Sequence, residues 1–371
     1  MDFDFTDDQQ SLRDAVARWV EKGHSFERRH ALAKAGGFAR PVYAELAELG
    51  LAGLAVPEAH GGLGFGAIEA MVVAEELGRG LVSAPWAAGA LLAPALLADA
   101  PAALQSAWLP QIADGSALVV PACQERGTRY RLERVETVAR ETAAGWTLRG
   151  AKSLVPAGDE ADAFVVPAQT PRGVALFLVT RDAAGLAVRG YPTQDGARAA
   201  ELALQDSPAA WIADDALPRL EHARDIAIAA ACAEAVGVME RLVALTVEYM
   251  NTRKQFGATL ASFQALRHRI ADVKMQLELA RSMSYFASLK LGESAPARRR
   301  ALSQAKVQLG QSMRFVGQQC IQLHGGIGVT DECSASHYFK RLTVLELSHG
   351  DTLHHLGEVS ARLQDTAGVF A

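Results

Sequence analysis

The chain has 371 residues, half of them apolar and 21% charged, and a formal net charge of -5. That length exceeds the ~250–300 residues that one hydrophobic core organises, so more than one domain is expected. The composition lies away from the disordered corner, and the slightly acidic balance removes the broad basic field that attracts nucleic acid.

Thr6-Asp7-Asp8-Gln9 has the spacing of a capping box, and Leu12, Val16 and Trp19 recur at helical intervals, which predicts a helix at the N-terminus. The first five residues are acidic where a leader peptide would be basic, so no targeting segment is expected. A second helix is predicted from near Pro41. The run Pro57-Glu58-Ala59-His60-Gly61-Gly62-Leu63-Gly64 is too glycine-rich for a helix and reads as a turn or loop; helical patterning resumes at Ile68 and continues to about Leu77. The longest greasy stretch, Ala87 to Ala98, is shorter than the ~20 residues that span a bilayer and contains Pro94, so no membrane segment is read.

From Leu118 to Pro218 the texture changes to short apolar runs between turn residues: Trp146–Arg149, Ala163–Val166, Val174–Val179, Leu186–Arg189 and Glu201–Leu204. Their spacing suits a small antiparallel barrel or sandwich. Beyond Pro218 the helical period returns. Leu266, Ile270, Val273, Leu277 and Ala280 form one apolar stripe, and Leu309, Met313, Val316, Cys320 and Leu323 form another, so a helical bundle is expected. Gly292 to Arg300, with Pro296 and three successive arginines, reads as a solvated connection between helices. The predicted organisation is mainly α with an inserted β-domain, in blocks 1–117, 118–218 and 219–371. The four cysteines, Cys123, Cys232, Cys320 and Cys333, have neither close pairing nor metal-ligand spacing, which suits reduced thiols in the cytoplasm.

Two segments of the last block carry chemistry. Arg253-Lys254-Gln255-Phe256-Gly257, followed by Phe263-Gln264, offers a guanidinium that can clamp a diphosphate beside an aromatic ring. Gln322-Leu323-His324-Gly325-Gly326-Ile327-Gly328 ends a helix with bare backbone that a ligand can approach, and with no βαβ unit around it this is not a dinucleotide fingerprint. Taken singly, each also suits an ordinary helix end.

Together the two segments, with the loop from Pro57 to Gly64, resemble the signatures of the acyl-CoA dehydrogenase family. The resemblance covers essentially the whole chain and implies an N-terminal helical domain, a middle β-barrel and a C-terminal four-helix bundle. It further implies a non-covalent FAD between the β-domain and the bundle. Arg253 and Phe256 would face its pyrophosphate and adenine side. Gln322, Gly325 and Gly326 would meet the same region of FAD across a subunit interface, which makes the protein at least a dimer. The implied reaction is α,β-desaturation of an acyl-CoA: a carboxylate takes the α-proton, hydride leaves the β-carbon for the flavin, and electrons pass to an electron-transferring flavoprotein. Oxidase chemistry would need oxygen access to the reduced flavin, which sequence does not report.

The chain departs from the family pattern in three places. Ala122-Cys123-Gln124-Glu125 stands where a small polar and acidic segment is usual, and Ser153-Leu154-Val155-Pro156 stands where Trp-Ile-Thr packs on the flavin ring. Near the C-terminus, Ser348-His349-Gly350-Asp351-Thr352 replaces Tyr-Glu-Gly-Thr, so His349 occupies the position of the basic glutamate. The alternative base position of some members falls near Ala227, where no carboxylate is present. The candidate bases are therefore His349, Asp351 and Glu346. With Tyr130, the run Arg189-Gly190-Tyr191-Pro192-Thr193 and the Ser-His-Gly-Asp ending, these losses resemble the small subunits of two-component members of the pimeloyl-CoA and steroid side-chain types. That implies the alternative of a catalytically degenerate partner that completes the FAD site of a heterotetramer. His349, His354 and His355 lack an acidic or cysteine companion in sequence, and no metal site is expected from them.

Overall fold

The computed structural model describes residues 5–363. The first part of the chain is helical, with α1 (Asp7–Gly23), α2 (Phe26–Lys34), α3 (Arg40–Glu48), α4 (Ala67–Arg79), a π-helical turn at Ala87–Leu92, α5 (Ala93–Leu97) and α6 (Ala102–Ala113). Strands follow: β1 (Val119–Pro121), β2 (Val138–Thr142), β3 (Gly145–Pro156), β4 (Ala163–Thr170), β5 (Gly173–Thr180), β6 (Leu186–Pro192) and β7 (Arg198–Ala213). The last part holds α7 (Ala216–Thr252), a small hairpin of β8 (Lys254–Gln255) and β9 (Ala258–Thr259), then α8 (Gln264–Leu289), α9 (Ala295–His324), α10 (Ser334–Leu347) and α11 (Thr352–Ala361). Among the described residues no helix is long and apolar enough to cross a membrane.

Local chemistry accounts for the first helix. Gln9 N donates to Thr6 Oγ1 at 3.2 Å and Thr6 N donates to Gln9 Oε1 at 3.1 Å, the reciprocal bonds of a capping box. The short, charged α2 and the three-residue β1 carry too little periodicity to be read from sequence, and so does β2, where a single residue is buried. Arg298, Arg299 and Arg300 correct the expectation of a loop, for α9 already begins at Ala295 with Pro296 in its first turn. Proline is tolerated there because the first N–H groups of a helix have no partner to lose.

By contact the chain forms two compact units that interleave in sequence. One gathers the described parts of residues 30–66 and 83–227. Its sheet closes on itself: β4 pairs β5, β5 pairs β7, β7 pairs β3, β3 pairs β2, and Val138 of β2 returns to Gln169 of β4. β1 and β6 flank the ring. Phe164, Val166, Phe177 and Val179 point to one core, while Val165, Leu176 and Leu178 join Leu97, Leu109 and Ile112 of the helices in another. Strands buried on both faces read as continuous apolar runs instead of alternating ones.

The other unit gathers the described parts of residues 1–29, 67–82 and 228–371. Val273, Leu277 and Ala280 of α8 and Leu309, Met313, Val316 and Cys320 of α9 pack with Met239 and Leu242 of α7 and Leu342 and Leu345 of α10. Burying each large aliphatic side chain contributes about 1.5–3 kcal/mol. α4 and α7 meet backbone to backbone: a Cβ on Gly78 would stand 2.1 Å from Glu234 O, and one on Gly237 would stand 1.8 Å from Glu75 O. Beside that contact the buried Glu75 carboxylate is held by Arg281 at 2.7 Å and by Arg13 and Arg79 at 3.4 Å.

Candidate cofactor and active site

The two motif segments lie in the helical unit and meet through a ring contact. Tyr249, in the last turns of α7, stacks on His324 at the end of α9 with centroids 4.7 Å apart and an interplanar angle of 21°. His324 Nδ1 donates to Cys320 O at 2.9 Å, which holds the ring against the helix. Four residues beyond Tyr249 comes Arg253, whose backbone N–H still donates to Tyr249 O at 2.9 Å. One residue beyond His324 comes Gly325. The stack thus brings Arg253 and the glycine segment to one end of the helical unit.

Around Arg253 the chain turns in the β8–β9 hairpin, with Phe256 at φ 53 and Gly257 at φ 78 in its two-residue turn. Positive φ at both positions suits the tight turns that match strand twist. Phe256 is 93% exposed, with only an edge contact to Phe263 at 6.3 Å between centroids. Among the described residues the Arg253 side chain makes no hydrogen bond or ion pair, and Arg253, Gln322, Gly325 and Gly326 are all exposed. Gly325 has φ 68 and ψ -147, a conformation reserved for glycine, and nothing lies within 4 Å of a Cβ built on Gly325 or Gly326. These groups have the chemistry to receive a diphosphate: a guanidinium, an aromatic face and, although the Gly325 N–H itself donates to Gln322 O and Ile321 O, a backbone with no side chain to keep a ligand away.

The three candidate bases share the reversal between α10 and α11, and each has a different environment. Glu346 is buried, and its Oε1 accepts from Thr352 N at 3.1 Å and Thr352 Oγ1 at 2.6 Å. Asp351 is the N-cap of α11, with Oδ1 accepting from His354 N at 2.8 Å. His349 is exposed and has φ 59, unusual for a residue with a side chain; its carbonyl accepts from His355 Nε2 at 3.1 Å. Both carboxylates are thus engaged in building the reversal, and the imidazole is the candidate presented at the surface.

In the barrel unit, the altered positions are tied together by a buried ion pair. Lys152 Nζ reaches Glu125 Oε1 at 2.5 Å and Pro167 O at 2.8 Å, and Glu125 also accepts from Thr137 N and Oγ1 and from Glu136 N. Burial pushes the Glu125 carboxyl up, but the Lys152 ammonium and these hydrogen bonds outweigh it and hold the group below the ordinary glutamate value. Leu154, in the segment that departs from the Trp-Ile-Thr pattern, is 52% exposed and has φ 52.

The sequence matches the acyl-CoA dehydrogenase N-terminal domain over residues 6–116, the middle domain over 122–206 and the C-terminal domain over 216–364. Acyl-CoA dehydrogenase IpdE2 of Mycobacterium tuberculosis is 32% identical over 342 residues, which are 90% of this chain and 91% of that protein. The chain belongs to the acyl-CoA dehydrogenase family. Acyl-CoA dehydrogenase FadE27 of the same organism is 28% identical over 382 residues, 99% of this chain and 100% of that one. A chain of the ChsE4-ChsE5 complex from Mycobacterium tuberculosis superposes with a TM-score of 0.89 at 28% identity, covering 99% of this chain and 100% of its own. Membership brings the three-part architecture of helices, β-domain and helices, and an oxidoreductase family of FAD flavoproteins.

Some parts of the site escaped the reading of the sequence. Tyr249 precedes Arg253 by one helical turn, so its position was accessible to periodicity, but nothing in the sequence pairs it with His324. Glu346 and Asp351 were recognisable as candidate bases. That both bond within the reversal follows only from the packing of α11.

Proposed function

We propose that this acyl-CoA dehydrogenase works as a subunit of an FAD-dependent enzyme that desaturates an acyl-CoA and passes electrons to an electron-transferring flavoprotein in the cytoplasm. The observation that carries the reading is the Tyr249–His324 stack, because it puts Arg253 and Phe256 beside Gln322, Gly325 and Gly326 at one exposed end of a single chain, so that both segments would meet one FAD from the same subunit instead of facing each other across the interface. Arg253 would clamp the diphosphate, Phe256 would cover the adenine side, and the side-chain-free backbone of Gly325 and Gly326 would let the phosphates approach. FAD, when bound, supplies the hydride acceptor. The exposed apolar side chains Phe256 at 93%, Ile327 at 51% and Val329 at 74% surround these segments and support a subunit interface there.

For proton abstraction the chain offers His349, since Glu346 and Asp351 are engaged within the reversal. A neutral imidazole is a competent base near pH 7. That same engagement also favours a second reading, in which the chain completes the FAD site of a heterotetramer and another subunit supplies the carboxylate. Purification from the native host, with flavin absorbance, mass analysis of bound chains and light scattering, tests the assembly. FAD carried by a dimer or larger species is expected, and an FAD-loaded monomer at micromolar concentration defeats the interface. Flavin bleaching by acyl-CoAs, measured for the chain alone and with its co-purifying subunit, then separates the active reading from the partner reading.

A further inference from the structure

Four residues along one face of α9 meet the α10–α11 reversal at four different points. Lys306 Nζ donates to the carbonyls of Leu345 at 2.8 Å, Glu346 at 2.8 Å and Gly350 at 3.1 Å. One helical turn further on, a Cβ at Gly310 would stand 2.1 Å from Thr352 Oγ1, so the start of α11 rests on the bare backbone of α9. Ser303 Oγ lies 3.2 Å from His355 Nδ1, and Arg314 Nη2 lies 3.5 Å from the Glu346 carboxylate. Positions 303, 306, 310 and 314 follow the three- and four-residue steps of one helical stripe.

The lysine is the unusual member, since only 1% of it is exposed. Long charged side chains are almost never fully buried without a partner. An ammonium has three donors, and here three carbonyls receive them. Leu345 and Glu346 belong to the last turn of α10, where carbonyls run out of helical partners, and Gly350 lies within the reversal, just past His349. The bonds therefore join the two sides of the segment that carries His349. Gly350 has φ 111, and a Cβ there would stand 2.5 Å from His355 Nε2, so the reversal is packed closely from the α11 side as well.

We propose that Lys306 is a positioning residue for His349: by holding the backbone on both sides of the reversal, it sets where the imidazole stands at the reacting site. This rests on the reading above that His349 takes the α-proton of the acyl-CoA. The φ of 59 at His349 is a conformation that a side-chain-bearing residue keeps only when its surroundings over-determine it. Here His355 holds the carbonyl of His349 and Lys306 holds that of Gly350. Burial lowers the Lys306 ammonium to about 8, against the pull of Cys232, Glu346 and Asp351. The charged and titratable groups around this corner include Cys232 of α7, Arg314 of α9, Glu346 of α10, Asp351 of the reversal and His354 and His355 of α11.

Hydrogen exchange read by mass spectrometry tests the proposal on the full-length, FAD-loaded protein with any required subunit. Lys306→Met keeps the apolar stem and removes the donors. Amides of residues 348–355 should then exchange at least about tenfold faster while those of α8 stay unchanged, because the lost bonds are local. In any preparation that bleaches, the rate should fall with acyl-CoA affinity retained. Unchanged exchange in a folded variant overturns the proposal. A uniform rise across the helical unit does so too, since the lysine then serves only global stability, and so does a loosened reversal with undiminished bleaching. If Lys306→Met does not fold, Lys306→Gln, which keeps two N–H donors in place of three, is measured in the same way. A rise confined to residues 348–355 supports the proposal and a flat profile overturns it. The exchange readout needs no turnover, so a chain that never bleaches flavin counts against the proposed function while the assignment of Lys306 is still decided.

Discussion

Two ends of the helical unit contrast in how their polar groups are satisfied. At the Arg253 and Gly325 end the side chains stand open: Phe256 is 93% exposed, and nothing lies within 4 Å of a Cβ built on either glycine. At the α10–α11 reversal the carbonyls of residues 345, 346, 349 and 350 each accept from a buried side chain, and both nearby carboxylates are engaged. An end that receives its partners from outside leaves donors exposed. A segment that must hold one geometry draws its partners from inside, because an unpaired buried polar group costs about 1–3 kcal/mol.

The largest expected effect sharpens the reversal side of this contrast. If His349 is the base, His349→Ala should slow single-turnover flavin bleaching by about 10²–10⁴-fold, the usual contribution of a general base. Bleaching that needs a second subunit and is indifferent to the substitution would instead assign the base to that subunit. On the open side, Arg253→Ala should weaken FAD retention by about 10–150-fold, the equivalent of losing one charge-assisted hydrogen bond of ~1.5–3 kcal/mol. Equilibrium dialysis with FAD reads it directly, and unchanged affinity removes Arg253 from the diphosphate site.

A smaller effect separates the buried lysine from the open arginine. Lys306 is lowered from 10.5 to about 8 in the folded protein. Between those values the unfolded chain binds more protons than the native one, so the contribution of Lys306 to stability rises with pH across that window. Urea unfolding of the parent and of Lys306→Met at pH 8 and at a pH near 10 should show the difference moving in favour of the parent. A constant difference would mean that Lys306 titrates as an ordinary surface lysine.

The capping box at Thr6, the apolar stripes of α8 and α9 and the apolar runs of β4 and β5 were legible in the sequence, because periodicity and capping are properties of neighbouring residues. The two motif segments were legible as helix ends, but arginine and glycine are ordinary there, and only their joint resemblance to the family's signatures gave them an expected role. Tertiary structure decided the rest. Only packing could stack Tyr249 on His324, place Lys306 under three carbonyls of a segment about forty residues later in the chain, and engage Glu346 and Asp351 within the reversal while His349 stands exposed. A lysine in an amphipathic helix reads as a solvated charge until its neighbours in space are known. A carboxylate likewise reads as a base until the N–H groups it accepts from are known, because sequence determines which groups exist and the fold determines which of them are already partnered.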